Sequence, residues 1–546
     1  MSKGKALTTR AKPKAKSNAA LAPAFTKPTS PQSTAVPPTR AHSSAYHYPL
    51  ILDDSTASKE LLGWFEGIEE ARNMPWRKRW LDPAQCEVLQ QTRVSTVIPY
   101  FNNWISKWPT VDSLAQASHD DVLSVWKGLG YYSRATRLHE GAKAVVSMKP
   151  SQSCKIPSGV VDLQKIPGIG RYTAGAVSSI AFGEAEPVLD GNVARVLSRQ
   201  LGLYVDAKDK KSTDAFWEVA DQLIKTVAGH PEKGRSEVPG QWNQALMELG
   251  STICTPRPKC EECPIRRTCR VYAEGETLSI KKAPSTEVPD IEDACTLCQQ
   301  LDTEDLTTAP EEHDEDEDDV PVKPAKRRKT EQKQSNTLSN YFTLHAPKQK
   351  PATSTPTTST STPPPSTKRK ALTATPAQTK AIATYCSLFP KKMPKKAVPE
   401  EDAVVCVIEA AEEGGPSKWF IEQRPAKGLL ASLWQFPQQT LPDTDTVHTA
   451  ATRKAAAQAY VESLDLGVDG RILVHLQELG SLVHVFTHLK LTMHVVHLKF
   501  EIAGKLLEET PGRKWVETEK MEGETLSTGM RRCWDLVKKK TTKAFK

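Results

Sequence analysis

The sequence lacks any apolar run of transmembrane length, and its first residues lack the apolar segment of a secretory signal. We therefore expect a soluble, intracellular protein that has no membrane partner. Acidic residues are also missing from the start of the chain, where the first one is Asp53. Lys, Ala, Ser, Thr and Pro dominate this stretch, so residues 1–56 are predicted to form a disordered basic tail.

Cysteine is present, but not in the pattern of a disulfide framework. Five of the eleven cysteines stand singly, and an intracellular compartment keeps thiols reduced. Four are packed into the stretch CTPRPKCEECPIRRTC, at Cys254, Cys260, Cys263 and Cys269. Clustered thiolates predict a metal site, and the residues alone allow either zinc or an iron–sulfur cluster. A zinc ribbon more often shows two separated C-x-x-C pairs, whereas this stretch has one.

Composition divides the rest of the chain into ordered and disordered regions. The net charge of +8 only permits a nucleic-acid partner. Helical spacing of apolar residues predicts a mainly α domain over 57–273. Residues 274–399 combine an acidic run, a basic cluster and a Ser/Thr/Pro tract, which together predict a disordered linker. Alternating apolar runs separated by helical stretches then predict a smaller α+β domain over 400–546.

Two motifs in the helical region contain candidate site residues. In LQKIPGIGRYTAGAVSSIAFG, a helix ending at Pro167, a turn at Gly168 and Gly170, and a helix from Arg171 would direct backbone N–H groups at one point, which suits a phosphate. A tight turn between two core helices also accounts for the glycines. In PVLDGNVARVLSR, Asp190 is either a helix N-cap or a site residue.

In combination, these motifs resemble the adenine DNA glycosylases of the MutY type, in the helix-hairpin-helix glycosylase superfamily. The resemblance rests on LQQTRVSTVIPYF, GLGYYSRATRLHEGA, PGIGRYTAGAVSSIAFG, LDGNVARVLSR and NQALMELGSTICTP, and it resumes at RPAKGLLASLWQFP and VHVFTHLKL. It implies a mainly α helix-hairpin-helix glycosylase domain with a four-Cys iron–sulfur motif, plus a C-terminal α+β Nudix-like domain. The implied reaction belongs to base-excision repair and hydrolyses the N-glycosidic bond of adenine mispaired with 8-oxoguanine or guanine.

The resemblance implies catalytic roles for three residues of the helical region. Asp190 would be the ionised carboxylate beside the sugar, with Asn192 next to it. Tyr172 stands where bifunctional relatives have a lysine that forms a Schiff base, so the resemblance implies a monofunctional glycosylase.

The general acid implied by the resemblance is Glu87, which is out of register by one residue. Glu87 precedes Thr92 by five residues, whereas the family has six, so Cys86 takes the family's position. One residue rotates a helical side chain by about 100°. Three interpretations stay open: a local bulge restores Glu87, a splicing or gene-model error has altered the segment and impaired the polypeptide, or Glu87 is an ordinary surface acid.

DNA contacts and cofactors follow from the same resemblance. The residues expected to touch DNA are Gln90, Gln91, Tyr131, Gly168, Gly170, Phe486, Thr487 and His488. A [4Fe–4S] cluster is implied for the four clustered cysteines, although Cys254 and Cys260 enclose five residues where the family has six. Cys295 and Cys298 resemble part of the family's interdomain zinc site.

Three short features imply location and partners. The KRRK cluster at Lys326–Lys329 predicts a nuclear protein, and the acid-free start of the chain also suits mitochondrial import. SNTLSNYF, at Ser335–Phe342, resembles a box that binds the replication sliding clamp. The substrate is expected to be double-stranded DNA, and the protein is expected to act as a monomer.

Two other functions stay open. One is an endonuclease III-like glycosylase for oxidised pyrimidines, against which Tyr172 and the C-terminal domain argue. The other is a lesion-binding scaffold with little turnover, which would follow if Cys86 replaces the acid. In the C-terminal domain, the stretch AATRKAAAQAYVESL has only Glu462 to hold Mg²⁺, so pyrophosphate hydrolysis is not expected there.

Overall fold

The structure is a computed structural model that describes most of the chain. The residues described are 42–72, 74, 94–127, 129, 132–148, 156–279, 295–299, 375–394, 397–412, 415–425, 428, 430–442, 448–464, 466, 471–486, 489–502, 509–510 and 512–544. Within these ranges, no helix combines the length and the apolar character needed to cross a bilayer.

Helices precede residue 390, and strands with two further helices follow it, as the predicted fold class requires. The helices are α1 Ser55–Arg72, α2 Val94–Lys107, α3 Val111–Gln116, α4 His119–Val125, α5 Tyr132–Ser147, α6 Val160–Leu163, α7 Arg171–Ala176, α8 Gly191–Leu201, α9 Lys210–Ala228, α10 Val238–Thr252, α11 Arg270–Ser279, α12 Pro376–Cys386, α13 Ala450–Ser463 and α14 Thr528–Ala544. The strands are β1 Glu400–Glu412, β2 Lys418–Gln423, β3 Trp434–Gln435, β4 Gln438–Thr440, β5 Arg471–Val485, β6 Lys490–Ile502, β7 Glu509–Thr510 and β8 Arg513–Glu517.

The chain divides into two compact units, and the first contains α1 and the helices from α7 to α12. Its main core forms where α1, α8, α9 and α10 pack together. In α8, Val193, Leu197 and Leu201 recur at helical spacing and are almost fully buried, so one face of the helix is fixed against its neighbours. Burying each such side chain stabilises the fold by about 1.5–3 kcal/mol, and this packing positions the N-terminus of α8.

The second unit contains α2 to α5 and the β-sheet. The strand order is β5-β6-β1-β2-β8-β7, with β3 paired to β2 and β4 paired to β1. β1 and β6 run parallel. Alternate residues of β1 pack on opposite faces, Val405 and Val407 with the core that contains α14 and Val404 and Cys406 with the core that contains α13. Both faces of the sheet are therefore covered, which explains the unbroken apolar run in the sequence of β1.

Structure extends into two stretches for which disorder was predicted. Inside the predicted tail 1–56, Ser44–His47 forms a 3₁₀ turn in which Tyr46 is buried. Inside the predicted linker 274–399, α12 buries Ile382 and Tyr385 in a core shared with α11. The prediction of disorder is wrong for these two stretches. It depends on composition, and composition averaged over the surrounding low-complexity sequence does not reveal a short apolar face.

One signal in the sequence could have identified α12. Thr375 and Gln378 form a capping box, in which the Thr375 hydroxyl accepts from the Gln378 N–H and the Gln378 side chain accepts from the Thr375 N–H. Pro376 occupies the first helical position. A Thr-Pro-x-Gln start followed by apolar residues at helical spacing is typical of a helix N-terminus.

Candidate active site and metal centres

Asp190 is the N-cap of α8, at the end that the core packing fixes. Its Oδ1 accepts a hydrogen bond from the backbone N–H of Val193 at 2.7 Å. Its Oδ2 accepts a second one from Nδ2 of Asn192 at 3.1 Å. Asp190 is half-buried. The N-cap interpretation of Asp190 is therefore confirmed, and the cap holds the carboxylate in a single orientation, which a site residue also needs.

Asn192 is held in turn by Arg195 on the next turn of α8. Nη2 of Arg195 donates to Oδ1 of Asn192 at 2.8 Å and to the carbonyl of Gly250 at 2.7 Å. Nε of Arg195 donates to the carbonyl of Cys254 at 2.8 Å. Burial lowers the pKa of the Arg195 guanidinium below its ordinary value. Hydrogen bonds thus connect Asp190, through two side chains, to the first of the clustered cysteines.

Gly250 makes this close approach possible. A Cβ added at Gly250 would lie 2.7 Å from the Cβ of Asn192 and 2.9 Å from its carbonyl oxygen. Any larger residue would therefore displace α10 from the start of α8.

The glycine hairpin is confirmed in part. α7 begins at Arg171, as predicted, with Gly170 as its N-cap. Gly168 has a φ of +86°, and a Cβ there would lie 2.8 Å from the Cβ of Arg137, so the turn requires glycine. The prediction that the first helix ends at Pro167 is wrong, because α6 ends at Leu163 and the chain turns before the proline.

Tyr172 lies in the first turn of α7 and contacts α10. Its hydroxyl donates to Sδ of Met247 at 3.3 Å, and the side chain is half-buried. The phenol occupies the position at which the resemblance places a lysine in bifunctional relatives, and it has no amine that could form a Schiff base.

The four clustered cysteines line one cavity between the end of α10 and the start of α11. Arg199 of α8 also lines it and donates from Nη1 to Sγ of Cys254 at 3.3 Å. Burial raises the pKa of Cys263 to about 12 and that of Cys269 well above its ordinary value. Buried thiols of this kind become thiolates when a bound cation compensates the charge, so the donor set fits a metal group.

Thiolate sulfurs are ligands of zinc and of iron–sulfur clusters alike, so the four cysteines fit either metal group. Among the described residues, one other group of Cys and His has all its ligand atoms within 4.8 Å of one another, and the clustered cysteines are not in it.

That other group is a second candidate metal centre and comprises His42, His47, Cys295 and Cys298. Nε2 of His47 lies 3.2 Å from Sγ of Cys295 and 3.4 Å from Sγ of Cys298, and the two Nε2 atoms of the histidines are 3.0 Å apart. Two thiols and two imidazoles within this distance match the donor set of a structural zinc site.

The local hydrogen bonds support metal binding at this centre. Nδ1 of His47 contacts the carbonyl of Leu201 at 2.8 Å, which fixes the ring and leaves Nε2 for the metal. Hydrogen bonds from Cys298, His42 and His47 lower the pKa of the Cys295 thiol. Of these four residues, the sequence predicts only Cys295 and Cys298 as ligands, because the histidines lie in the segment for which a tail was predicted.

In the second unit, the predicted lesion contact Phe486 lies where β5 turns toward β6. The Phe486 N–H donates to the carbonyl of Leu489 at 2.7 Å, and its ring packs edge-on against His484 with centroids 4.5 Å apart. On α13, Glu462 accepts a hydrogen bond from Gln458 at 2.9 Å. Arg453 of the same helix pairs with Glu478 at 2.7 Å.

Several predicted residues fall outside the described ranges, and their roles stay predictions. They are Glu87, Gln90, Gln91, Tyr131, Thr487, His488, Lys326–Lys329 and Ser335–Phe342.

Comparison with known proteins agrees with this geometry. Residues 86–222 match the family model described as HhH-GPD superfamily base excision DNA repair protein, and residues 404–536 match a NUDIX domain. The adenine DNA glycosylase of Homo sapiens is 32% identical over 510 residues, which cover 91% of this chain and 76% of the human protein. The adenine DNA glycosylase of Schizosaccharomyces pombe is 30% identical over 489 residues, which cover 84% of each chain. The chain therefore belongs to the adenine DNA glycosylase family.

Proposed function

We propose that this chain, a DNA glycosylase of base-excision repair, hydrolyses the N-glycosidic bond of adenine that is paired with 8-oxoguanine or guanine. The main support is the Asp190 carboxylate, which is held at the N-terminus of α8 by Val193 and Asn192. A fixed carboxylate stabilises the positive charge that develops on the sugar as adenine leaves.

The proposed mechanism begins with extrusion of adenine from the duplex, because the glycosidic bond cannot be attacked inside the base stack. Glu87 then protonates the purine, and Asp190 lies beside the sugar. Water completes the hydrolysis. Tyr172 takes no covalent part, so the product is an intact abasic strand rather than a cleaved one.

DNA contacts in this proposal come from the glycosylase region and from the Nudix-like domain. Gln90, Gln91 and Tyr131 separate the adenine from its partner base, and the Gly168–Gly170 turn binds a backbone phosphate. In the Nudix-like domain, Phe486, Thr487 and His488 recognise 8-oxoguanine. Arg and Lys side chains add nonspecific affinity that falls with increasing salt concentration.

Two metal groups complete the proposal. Cys254, Cys260, Cys263 and Cys269 would hold a [4Fe–4S] cluster that links the segment between α10 and α11 to α8. His42 and His47, together with Cys295 and Cys298, would hold a zinc ion that joins the segment before α1 to the segment after α11. Both groups would supply structural stability rather than chemistry at the glycosidic bond.

We further propose that the protein acts in the nucleus as a monomer and binds the replication sliding clamp through Ser335–Phe342. The basic cluster at Lys326–Lys329 supports nuclear import, and the acid-free start of the chain supports a second, mitochondrial location.

The decisive experiment is single-turnover release of adenine from a duplex with adenine opposite 8-oxoguanine, followed by alkali to cleave abasic sites. We expect release in the wild type and its loss in Asp190→Asn and Glu87→Gln. A duplex with adenine opposite thymine is the matched control and should give no product. Strand cleavage before alkali would refute the monofunctional assignment.

The same assay separates the alternatives. Tight binding of the 8-oxoguanine duplex without release would favour a lesion-binding scaffold, consistent with Cys86 at the position where the family has its acid. Release of an oxidised pyrimidine, with no release of adenine, would favour an endonuclease III-like enzyme.

A further inference from the structure

The cavity lined by the four clustered cysteines contains a fifth thiol. Cys386 is the last residue of α12, is 1% exposed and lines the same cavity. Cys260 and Cys269 pack against the hydrophobic cluster that contains Cys386. Five thiols from two distant parts of the sequence therefore surround a space that a four-ligand cluster would occupy.

Specific contacts hold Cys386 at this place. One residue earlier, the Tyr385 hydroxyl donates to Oε2 of Glu274 on α11 at 2.5 Å. Three residues later, the carbonyl of Phe389 accepts from Nε of Arg199 at 3.0 Å. Residues on both sides of Cys386 are thus hydrogen-bonded to helices that border the cavity. These bonds fix the position of Cys386.

α12 is also bonded to the turn that contains Cys260. Oγ1 of Thr379 donates to Oε1 of Glu261 at 2.7 Å. The Cys260–Glu262 turn and α12 therefore lie against each other, and Cys260 packs against the cluster that contains Cys386. By contrast, two of the other cysteines contact Arg199. Its Nη1 donates to Sγ of Cys254 at 3.3 Å, and its carbonyl accepts from Sγ of Cys269 at 3.3 Å.

We propose that Cys386 is a reserve ligand of the iron–sulfur cluster, which takes over the iron bound by Cys260 when that ligand is lost. The inference depends on the cluster assigned under the proposed function. In the exchange, a bond from iron to the Cys386 sulfur forms and the bond to the Cys260 sulfur breaks. The Cys386 proton passes to the departing Cys260 thiolate, and no electron is transferred.

The test measures iron and acid-labile sulfide per chain in full-length protein purified without oxygen. Four variants are compared with the wild type: Cys260→Ala, Cys386→Ala, the double variant, and Cys263→Ala as the matched control. We expect Cys386→Ala to match the wild type and Cys260→Ala to keep about half of the cluster or more. The double variant and Cys263→Ala should retain less than about a tenth, because neither has a thiol in reserve.

Equal loss in Cys260→Ala and in the double variant would overturn the inference. A wild type that contains zinc but neither iron nor sulfide would refute the cluster itself, and with it this part of the proposed function.

A second measurement needs no change at a primary ligand. We expect the visible absorbance of the cluster to decay several times faster in Cys386→Ala than in the wild type when an iron chelator is added. Equal decay rates would count against a reserve ligand even if Cys260→Ala fails to fold.

Discussion

Arg199 donates a hydrogen bond from Nη1 to Sγ of Cys254 across 3.3 Å. The same guanidinium donates to the carbonyl of Thr255 at 2.7 Å and to that of Phe389 at 3.0 Å, and the residue is 2% exposed. With the carbonyls of Cys254 and Pro256, the guanidinium reaches five acceptors in all, more than the three N–H groups of a lysine ammonium could serve. Arg199 therefore joins α8 to the cysteine cavity and to the segment after α12.

Replacing Arg199 by Lys should destabilise the protein by about 2–4 kcal/mol, because the lost donors leave buried acceptors unpaired. Iron content should fall as well. Urea unfolding and iron analysis measure the two effects. Arg267→Lys is the control, since Arg267 is 46% exposed, and it should change stability by no more than about 0.5 kcal/mol. Unchanged stability in Arg199→Lys would contradict this role.

Asp190→Asn should abolish adenine release while leaving the fold intact. Asparagine caps a helix about as well as aspartate, so the melting temperature should stay close to that of the wild type. Loss of the charge beside the sugar should slow single-turnover release by about 100-fold or more.

Asp209→Asn is the matched control, because Asp209 caps α9 in the same way, accepting from the N–H groups of Lys211 and Ser212. It should retain full activity. If both variants lose activity to a similar degree, the loss reflects capping rather than catalysis.

Gly250→Ala should lower both activity and stability, because the added methyl would lie 2.7 Å from the Cβ of Asn192. Gly67→Ala provides the control on α1, where an added Cβ meets nothing within 4 Å. That change should stabilise the protein by about 0.5–1 kcal/mol through helix propensity. Single-turnover release and thermal melting distinguish the two variants, and an active Gly250→Ala enzyme would show that Asn192 tolerates displacement.

His42→Ala should reduce zinc from about one ion per chain to less than about a tenth, since three remaining donors hold the metal weakly. Iron content should not change, because the cysteine cavity has separate ligands. His230→Ala, at an exposed position, should keep its zinc. Elemental analysis of the purified chains provides the measurement. Full zinc occupancy in His42→Ala would exclude this ligand set.

Glu409 makes the stability of the sheet dependent on pH. Burial alone would raise its pKa, but hydrogen bonds from His497, Ser417 and Lys499 outweigh burial and lower the pKa to about 2. A carboxylate with a lowered pKa stabilises the fold above the unfolded-state pKa of about 4.5 and loses that contribution as the pH falls toward 2. The contribution is about 3 kcal/mol.

The urea midpoints of the wild type and Glu409→Gln should therefore differ at pH 6 and converge between about pH 4.5 and pH 2. Glu400→Gln is the control, since Glu400 is exposed and pairs with Lys490 at the surface. It should match the wild type at every pH. A difference in urea midpoint between the wild type and Glu409→Gln that stays constant down to pH 2 would contradict this prediction.

The sequence predicted those features that depend on local chemistry. Asp190 stands before a glycine and a helical apolar pattern, and Gly168 stands in a turn. Both can therefore be predicted from residues a few positions away. The histidines at 42 and 47 have no such signal, because they meet Cys295 only through the tertiary fold. The hydrogen bonds of Arg195 and Arg199 were missed for the same reason, since sequence spacing places a side chain on a helix face but does not identify the carbonyl opposite.

The segment after α11 and the segment after α12 are bonded to neighbouring residues of the first unit. The N–H of Gln299 donates to the carbonyl of Tyr204 at 2.9 Å, and the N–H of Lys391 donates to the carbonyl of Val205 at 3.0 Å. The chain before residue 300 and the chain after residue 374 are therefore both anchored to the first unit, at the neighbouring residues Tyr204 and Val205. A change in the number of residues between 300 and 374 should therefore leave both anchors in place.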